Sequence, residues 1–258
     1  MRVAANPFVD EGIRISFSRG KILRAYFLMA AVLSVVLFFW WPAGSFVLDL
    51  PAGGGPRTFP SVAIGLCICC AYIGARCGAE DYSPQKRAHL REYVALTPVS
   101  LFVLVVGKAA FALLHTLFLL ALGAPFVLAS LAVSGTAADR ALGAFLVIGA
   151  FSFAFRMYGL LLLALIGARR LLRDMALLAS GVLFLVITLT LTPVVNPVSA
   201  LSGLSTAGPL PAARFLRVSI PFFLVSVIID LLAALAFAAG TLASLRAARR
   251  RETREKSE

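Results

Sequence analysis

Residues 90–100 read L-R-E-Y-V-A-L-T-P-V-S, and residues 101–108 continue at once as L-F-V-L-V-V-G-K. A charged segment therefore turns directly into an apolar run that extends to Gly123, so a polar helix is coupled to a membrane span. The rest of the chain supports a membrane reading. Apolar residues make up 60% of it and its mean hydropathy is +0.95, well above the roughly half apolar content of soluble domains. Such a chain has too little polar surface for a soluble globule. Unsatisfied backbone groups are costly in lipid, so a bilayer core requires helices of about twenty apolar residues. Six runs qualify.

The expected spans are residues 22–41, 59–75, 101–123, 141–166, 175–191 and 220–245. The fold class expected is an all-α, polytopic membrane protein with one transmembrane domain over 22–245. Residues 1–21 precede the first span and a basic tail, 246–258, follows the last. Residues 1–24 are too long and too charged for a signal n-region, and the first span ends in Trp40-Trp41-Pro42, so it reads as retained, with interfacial aromatics. Val9, Ile13 and Phe17 recur at four-residue spacing with the acid-then-base pair Asp10 and Arg14 on another face, which predicts an interfacial amphipathic helix. Gly53-Gly54-Gly55-Pro56 marks a short loop before the second span, and Pro125 is expected near the exit of the third.

Basic residues assign the sides. Arg14, Arg19, Lys21 and Arg24 precede the first span, Arg76, Lys86, Arg87 and Arg91 follow the second, Arg169, Arg170 and Arg173 follow the fourth, and a basic run from Arg246 follows the sixth. The opposite loops hold only Arg57, Arg140, Arg214 and Arg217, which places both termini in the cytoplasm. Topology thus accounts for the net charge of +12, and with the basic residues divided among several segments no nucleic acid partner is expected. The tail could hold anionic lipid headgroups, but a stop-transfer anchor is the favoured reading.

Glu92 stands six residues before Pro98, and Gly107-Lys108 begins nine residues after it. In that register the stretch resembles the segment before the third span of ABC-2 type transporter permeases, and the opening N-P-F-V-D-E-G-I-R of residues 6–14 is similar to the family's usual start. The sequence departs from the pattern at Leu90-Arg91 and Val94-Ala95-Leu96. The resemblance implies an N-terminal elbow helix and a cytoplasmic coupling helix over residues 84–96, with Arg87, Arg91, Glu92 and Tyr93 touching a separate ABC ATPase subunit. It further implies a second permease subunit, identical or related, and a bacterial cytoplasmic (inner) membrane location. ATP and Mg would sit at the partner ATPase, with no cofactor on this chain.

Charges inside spans are costly and mark residues to examine: His115, Arg156 and Asp230. Measured along their helices, Arg156 and Asp230 differ in depth by only about 6 Å. An ion pair between the fourth and sixth spans satisfies both without a ligand and is favoured over a polar lining of a substrate path. His115 suits a hydrogen-bonded packing role, and Lys108 is expected to snorkel. Cys67, Cys69, Cys70 and Cys77 gather in and after the second span. Thiolates suit a soft metal such as Cu(I), but Cys67 and Cys70 share a face that Cys69 does not, and no His or Met lies nearby. No metal site is expected. Disulfides are not expected on the cytoplasmic side.

Residues 192–215 are long, nearly uncharged and rich in Pro, Gly and Ser, with Val194, Val195, Leu201, Leu204 and Leu210 poorly suited to water. Short external or re-entrant helices packed on the spans are expected. The resemblance implies that they help to close the outer end of the pathway, with Asn196 and Pro197 as outer-gate residues. The chain lacks a G-x-x-x-x-G-K-[ST] phosphate loop, a G-x-S-x-G elbow and an H-E-x-x-H pair, so ATP hydrolysis is assigned to a partner and the chain is not expected to be an enzyme. The expected function is the permease subunit of an ATP-driven ABC-2 type exporter. The rival from another class is a stand-alone membrane protein, an assembly factor or small channel, for which the charged loop is a solvated face.

Overall fold

The computed structural model describes residues 9, 12–13, 20–41, 57–80, 100–166, 169–205, 210–215 and 218–255. They form seven helices: α1 (Gly20–Phe39), α2 (Thr58–Glu80), α3 (Leu101–Ser134), α4 (Ala138–Ile166), α5 (Arg170–Leu191), α6 (Pro197–Leu204) and α7 (Phe222–Glu255). All but α6 are long and apolar enough to cross a membrane. The architecture is that of an all-α, polytopic membrane protein. Backbone groups in lipid must find partners within their own segment, which is why the apolar runs are unbroken helices.

Several helices outrun their apolar cores. α2 continues past residue 75 to Glu80, and α7 carries the basic sequence after Leu245 as helix to Glu255. α3 passes through Pro125, where an exit was expected, and ends only at Ser134. Proline removes one ladder hydrogen bond, a loss that membrane helices tolerate. Gly135, at φ 65°, closes α3 in the left-handed conformation that glycine adopts freely, and a link of three residues leads into α4, which packs against α3.

At 34 residues each, α3 and α7 are about 51 Å long at 1.5 Å per residue, against a hydrocarbon core of about 30 Å. Either the helices tilt or their ends stand clear of the lipid.

The centre of the bundle is the seam between α2 and α4. A Cβ added to Gly78 would lie 2.2 Å from the Arg156 carbonyl oxygen, and one added to Gly159 would lie 2.0 Å from that of Ala75. Only glycine permits the two backbones to approach so closely. Gly74 and Gly78 stand in G-x-x-x-G spacing on α2, the arrangement that lets membrane helices associate through close packing when lipid is as apolar as leucine. Phe59, Val62, Ala63 and Leu66 of α2 are fully buried, with Ala144, Val147 and Ile148 of α4 in the same cluster. α1 and α5 are peripheral, turning side chains such as Phe27, Phe38, Leu171 and Leu178 outward. On a soluble protein these would be a liability; in a bilayer they face lipid tails.

The segment 192–215 contains the expected short helix, α6, whose Ala200, Leu201 and Leu204 enter the main core. A two-stranded antiparallel hairpin was not expected. β1 (Ala212–Phe215) pairs with β2 (Val218–Pro221), from Ala212 opposite Pro221 to Phe215 opposite Val218. The hairpin leads directly into α7.

Candidate functional site

Three buried polar centres are built on this frame. The first joins three helices. His115 of α3 bonds through Nδ1 to Arg156 Nη1 of α4, and its Nε2 lies 2.7 Å from the Tyr26 hydroxyl of α1. A guanidinium only donates, so Nδ1 is the acceptor, the ring proton sits on Nε2, and Nε2–H donates to the tyrosine oxygen. The Arg156 guanidinium carbon lies 4.8 Å from the centroid of the Phe111 ring, a cation–π contact, and Phe111 and Phe118 stack on either side of His115 at 6.0 and 6.5 Å. All three polar side chains are buried. The result is a polar chain from α1 through α3 to α4 inside an aromatic sleeve.

The expected Arg156–Asp230 ion pair does not form. Arg156 turns toward α3, and Asp230 Oδ2 is buried with no hydrogen-bond partner. Similar depth was not sufficient, because azimuth also decides contact. On α4 the residues beside Asp230 are Ala154, Phe155 and Tyr158, while Arg156 is about 200° around the helix from both Ala154 and Tyr158 at 100° per residue.

Asp230 instead lines a cavity of about 180 Å³ between α4, α5 and α7. Aromatic side chains dominate its wall: Phe155 and Tyr158 from α4, Phe184 from α5 and Phe237 from α7. Tyr158 donates to Ser180 Oγ at 2.9 Å, and Ser180 donates in turn to the Ala176 carbonyl at 2.6 Å.

Asn196 forms the third centre. Its Nδ2 donates to the Leu185 carbonyl at 3.0 Å and to Thr188 Oγ1 at 2.8 Å, and its Oδ1 accepts from the amides of Val198 at 2.8 Å and Ser199 at 3.3 Å. Both donors and both lone pairs are used, so one amide caps α6 and fastens it to the end of α5. Pro197 occupies the first turn, where its missing N–H is no loss, and is buried. These two residues hold α6 in place beside α4 and α7.

Lys108 is 4% exposed and lies inside the bundle instead of snorkelling outward. Cys67 and Cys70 are buried, Cys69 and Cys77 half-buried, and all four are free thiols. Of residues 1–19, Val9, Gly12 and Ile13 are described and helical, and Gly12 packs against Phe111, where a Cβ would come within 2.6 Å of the ring. The remainder of the expected elbow helix lies outside the described residues. So do Arg87, Arg91, Glu92 and Tyr93, with the whole of residues 81–99.

Sequence reasoning missed Tyr26, whose signal was a hydroxyl-bearing aromatic inside an otherwise apolar span. It also missed the seam glycines, for which the G-x-x-x-G spacing was the available sign. The chain was compared with protein-family models, curated proteins and solved structures, and none matches it.

Proposed function

We propose that the chain is the membrane-spanning permease subunit of an ATP-driven ABC-2 type transporter, acting as an exporter. The observation that carries this reading is the register of Glu92, Pro98 and Gly107-Lys108 at the entrance to a span. Two such permease subunits, identical or related, enclose the pathway, and two separate ATPase chains, which hold ATP and Mg, dock on the cytoplasmic side of a bacterial inner membrane. Both termini face that side.

In this mechanism, closure of the ATPases pushes on residues 84–96, through contacts of Arg87, Arg91, Glu92 and Tyr93, and the motion enters α3. The continuity of α3 from Leu101 to Ser134 suits a lever. His115 lies on that lever and is bonded to Tyr26 of α1 and Arg156 of α4, so displacement of α3 is passed to two neighbours. Asn196 and Pro197, at the far end of α5, hold the helix that closes the outer mouth. Replacing Glu92 by Ala is expected to uncouple ATP hydrolysis from transport or to weaken the complex. Assembly and transport equal to wild type in E92A would count against the coupling role.

A further inference from the structure

The cavity between α4, α5 and α7 has a definite chemistry. Its volume of about 180 Å³ compares with the roughly 150 Å³ apolar cavity that takes up a benzene ring, so it holds a group of one ring or a few methyls. The rings that line it are set at steep angles to one another and are not stacked flat. Phe155 meets Tyr158 at an interplanar angle of 66° and Phe184 at 72°, and Tyr158 meets Phe237 at 51°. Aromatic faces carry negative charge density, and several of them around one space are suited to a cation with a diffuse, weakly hydrated surface.

Within this wall stands Asp230, 3% exposed, with Oδ2 unpartnered. The hydroxyls of Tyr158 and Ser180 are already engaged with each other and with the backbone. Among the described residues, no basic side chain lines the cavity. A buried carboxylate whose side-chain hydrogen bond comes from Ser226 stays charged among apolar helices only where a positive charge reaches it, and none of the described residues lining the cavity supplies one. Cage and carboxylate together call for a ligand that is cationic and apolar at once.

We propose that the cleft between α4, α5 and α7 is a binding site for a small organic ammonium ion, with Asp230 as its counter-ion and Phe155, Tyr158, Phe184 and Phe237 as its cage. A quaternary or tertiary ammonium bearing methyl groups or one ring fits both size and charge. The ion is either a free amine or the choline headgroup of a lipid. The site belongs to this chain whether or not an ATPase docks on it.

The test uses the full chain in phosphatidylglycerol nanodiscs, which contain no ammonium lipid, with labelled benzyltrimethylammonium as probe and empty nanodiscs as blank. Saturable binding is expected, competed by unlabelled probe but not by neopentylbenzene, the neutral analogue with carbon in place of nitrogen. Asp230→Asn should weaken binding about tenfold or more, since the ion pair is lost while the apolar cage that desolvates the cation remains. Ala233→Leu, which crowds the cavity and leaves the charge, should weaken it too, and decides the matter if the Asp230 variant fails to fold. Competition on adding phosphatidylcholine to the nanodiscs identifies the lipid headgroup as the source; its absence identifies a free amine. No saturable binding to the wild type, equal competition by neopentylbenzene, or wild-type affinity in both variants overturns the proposal.

Discussion

The two sides of α4 are packed by opposite rules. One, carrying Ser152, Arg156 and Gly159, is pressed against α2 so closely that a single added methyl would overlap backbone. The other, carrying Ala154, Phe155 and Tyr158, borders a cavity and a peripheral helix, α5, whose outward side chains include Leu178 and Val182. Lipid removes the hydrophobic drive for helices to associate, so association must come from close packing and polar contacts. The first side has both, with Arg156 held by His115 and Phe111. The second packs Ala154 against Ala234 of α7, but beside α5 it leaves a cavity and a carboxylate with an unpartnered oxygen. The seam between α2 and α4 is therefore the tightest part of the molecule, and the cleft beside α5 is where a ligand can be accommodated.

Replacing Gly159 by Leu should break the seam outright. The new Cβ would meet the Ala75 carbonyl at 2.0 Å, and main chain cannot yield as a side-chain tip can. A loss larger than the ~1–3 kcal/mol of ordinary overpacking is expected, read as a collapse of the thermal midpoint in detergent. An unchanged midpoint would show that the helices are not in backbone contact.

His115→Leu comes next. It strips the acceptor from Arg156 and the donor from Tyr26, and should destabilise by about 2–3 kcal/mol, because a buried charged group loses its partner. Tyr26→Phe leaves the His115–Arg156 bond intact and should cost only about 1 kcal/mol. Equal effects for the two would mean that the arginine contact contributes nothing.

The smallest effect, and of opposite sign, belongs to Ala233→Leu in the cleft. Filling space there should be neutral or stabilise by up to about 1 kcal/mol. Marked destabilisation would show this side to be as tight as the seam.

Most of the fold could be read from hydropathy, because the bilayer leaves a twenty-residue apolar segment little choice but a helix. The ends could not. Hydropathy marks where lipid stops, whereas a helix stops where its backbone bonds do, so α3 runs through Pro125 to Ser134 and α7 carries its arginines onward to Glu255. The polar residues of the spans were conspicuous, since charge is expensive in lipid. Their partners were not: His115 with Arg156 depends on rotation about each helix axis, and depth along the sequence is blind to that. The aromatic lining of the cleft was still less visible, because its rings come from three helices and each looks individually like a lipid-facing aromatic.

The central claim is that this bundle is driven by an ATPase through residues 84–96. Gentle affinity purification of the tagged protein from its own membranes, with identification of every co-purifying chain and an ATPase assay of the eluate, tests it most directly. The account predicts a stoichiometric partner bearing a phosphate loop and active in ATP hydrolysis, lost when Arg91 and Glu92 are replaced by alanine. A protein recovered intact, alone and without ATPase activity would contradict it and favour a stand-alone membrane protein.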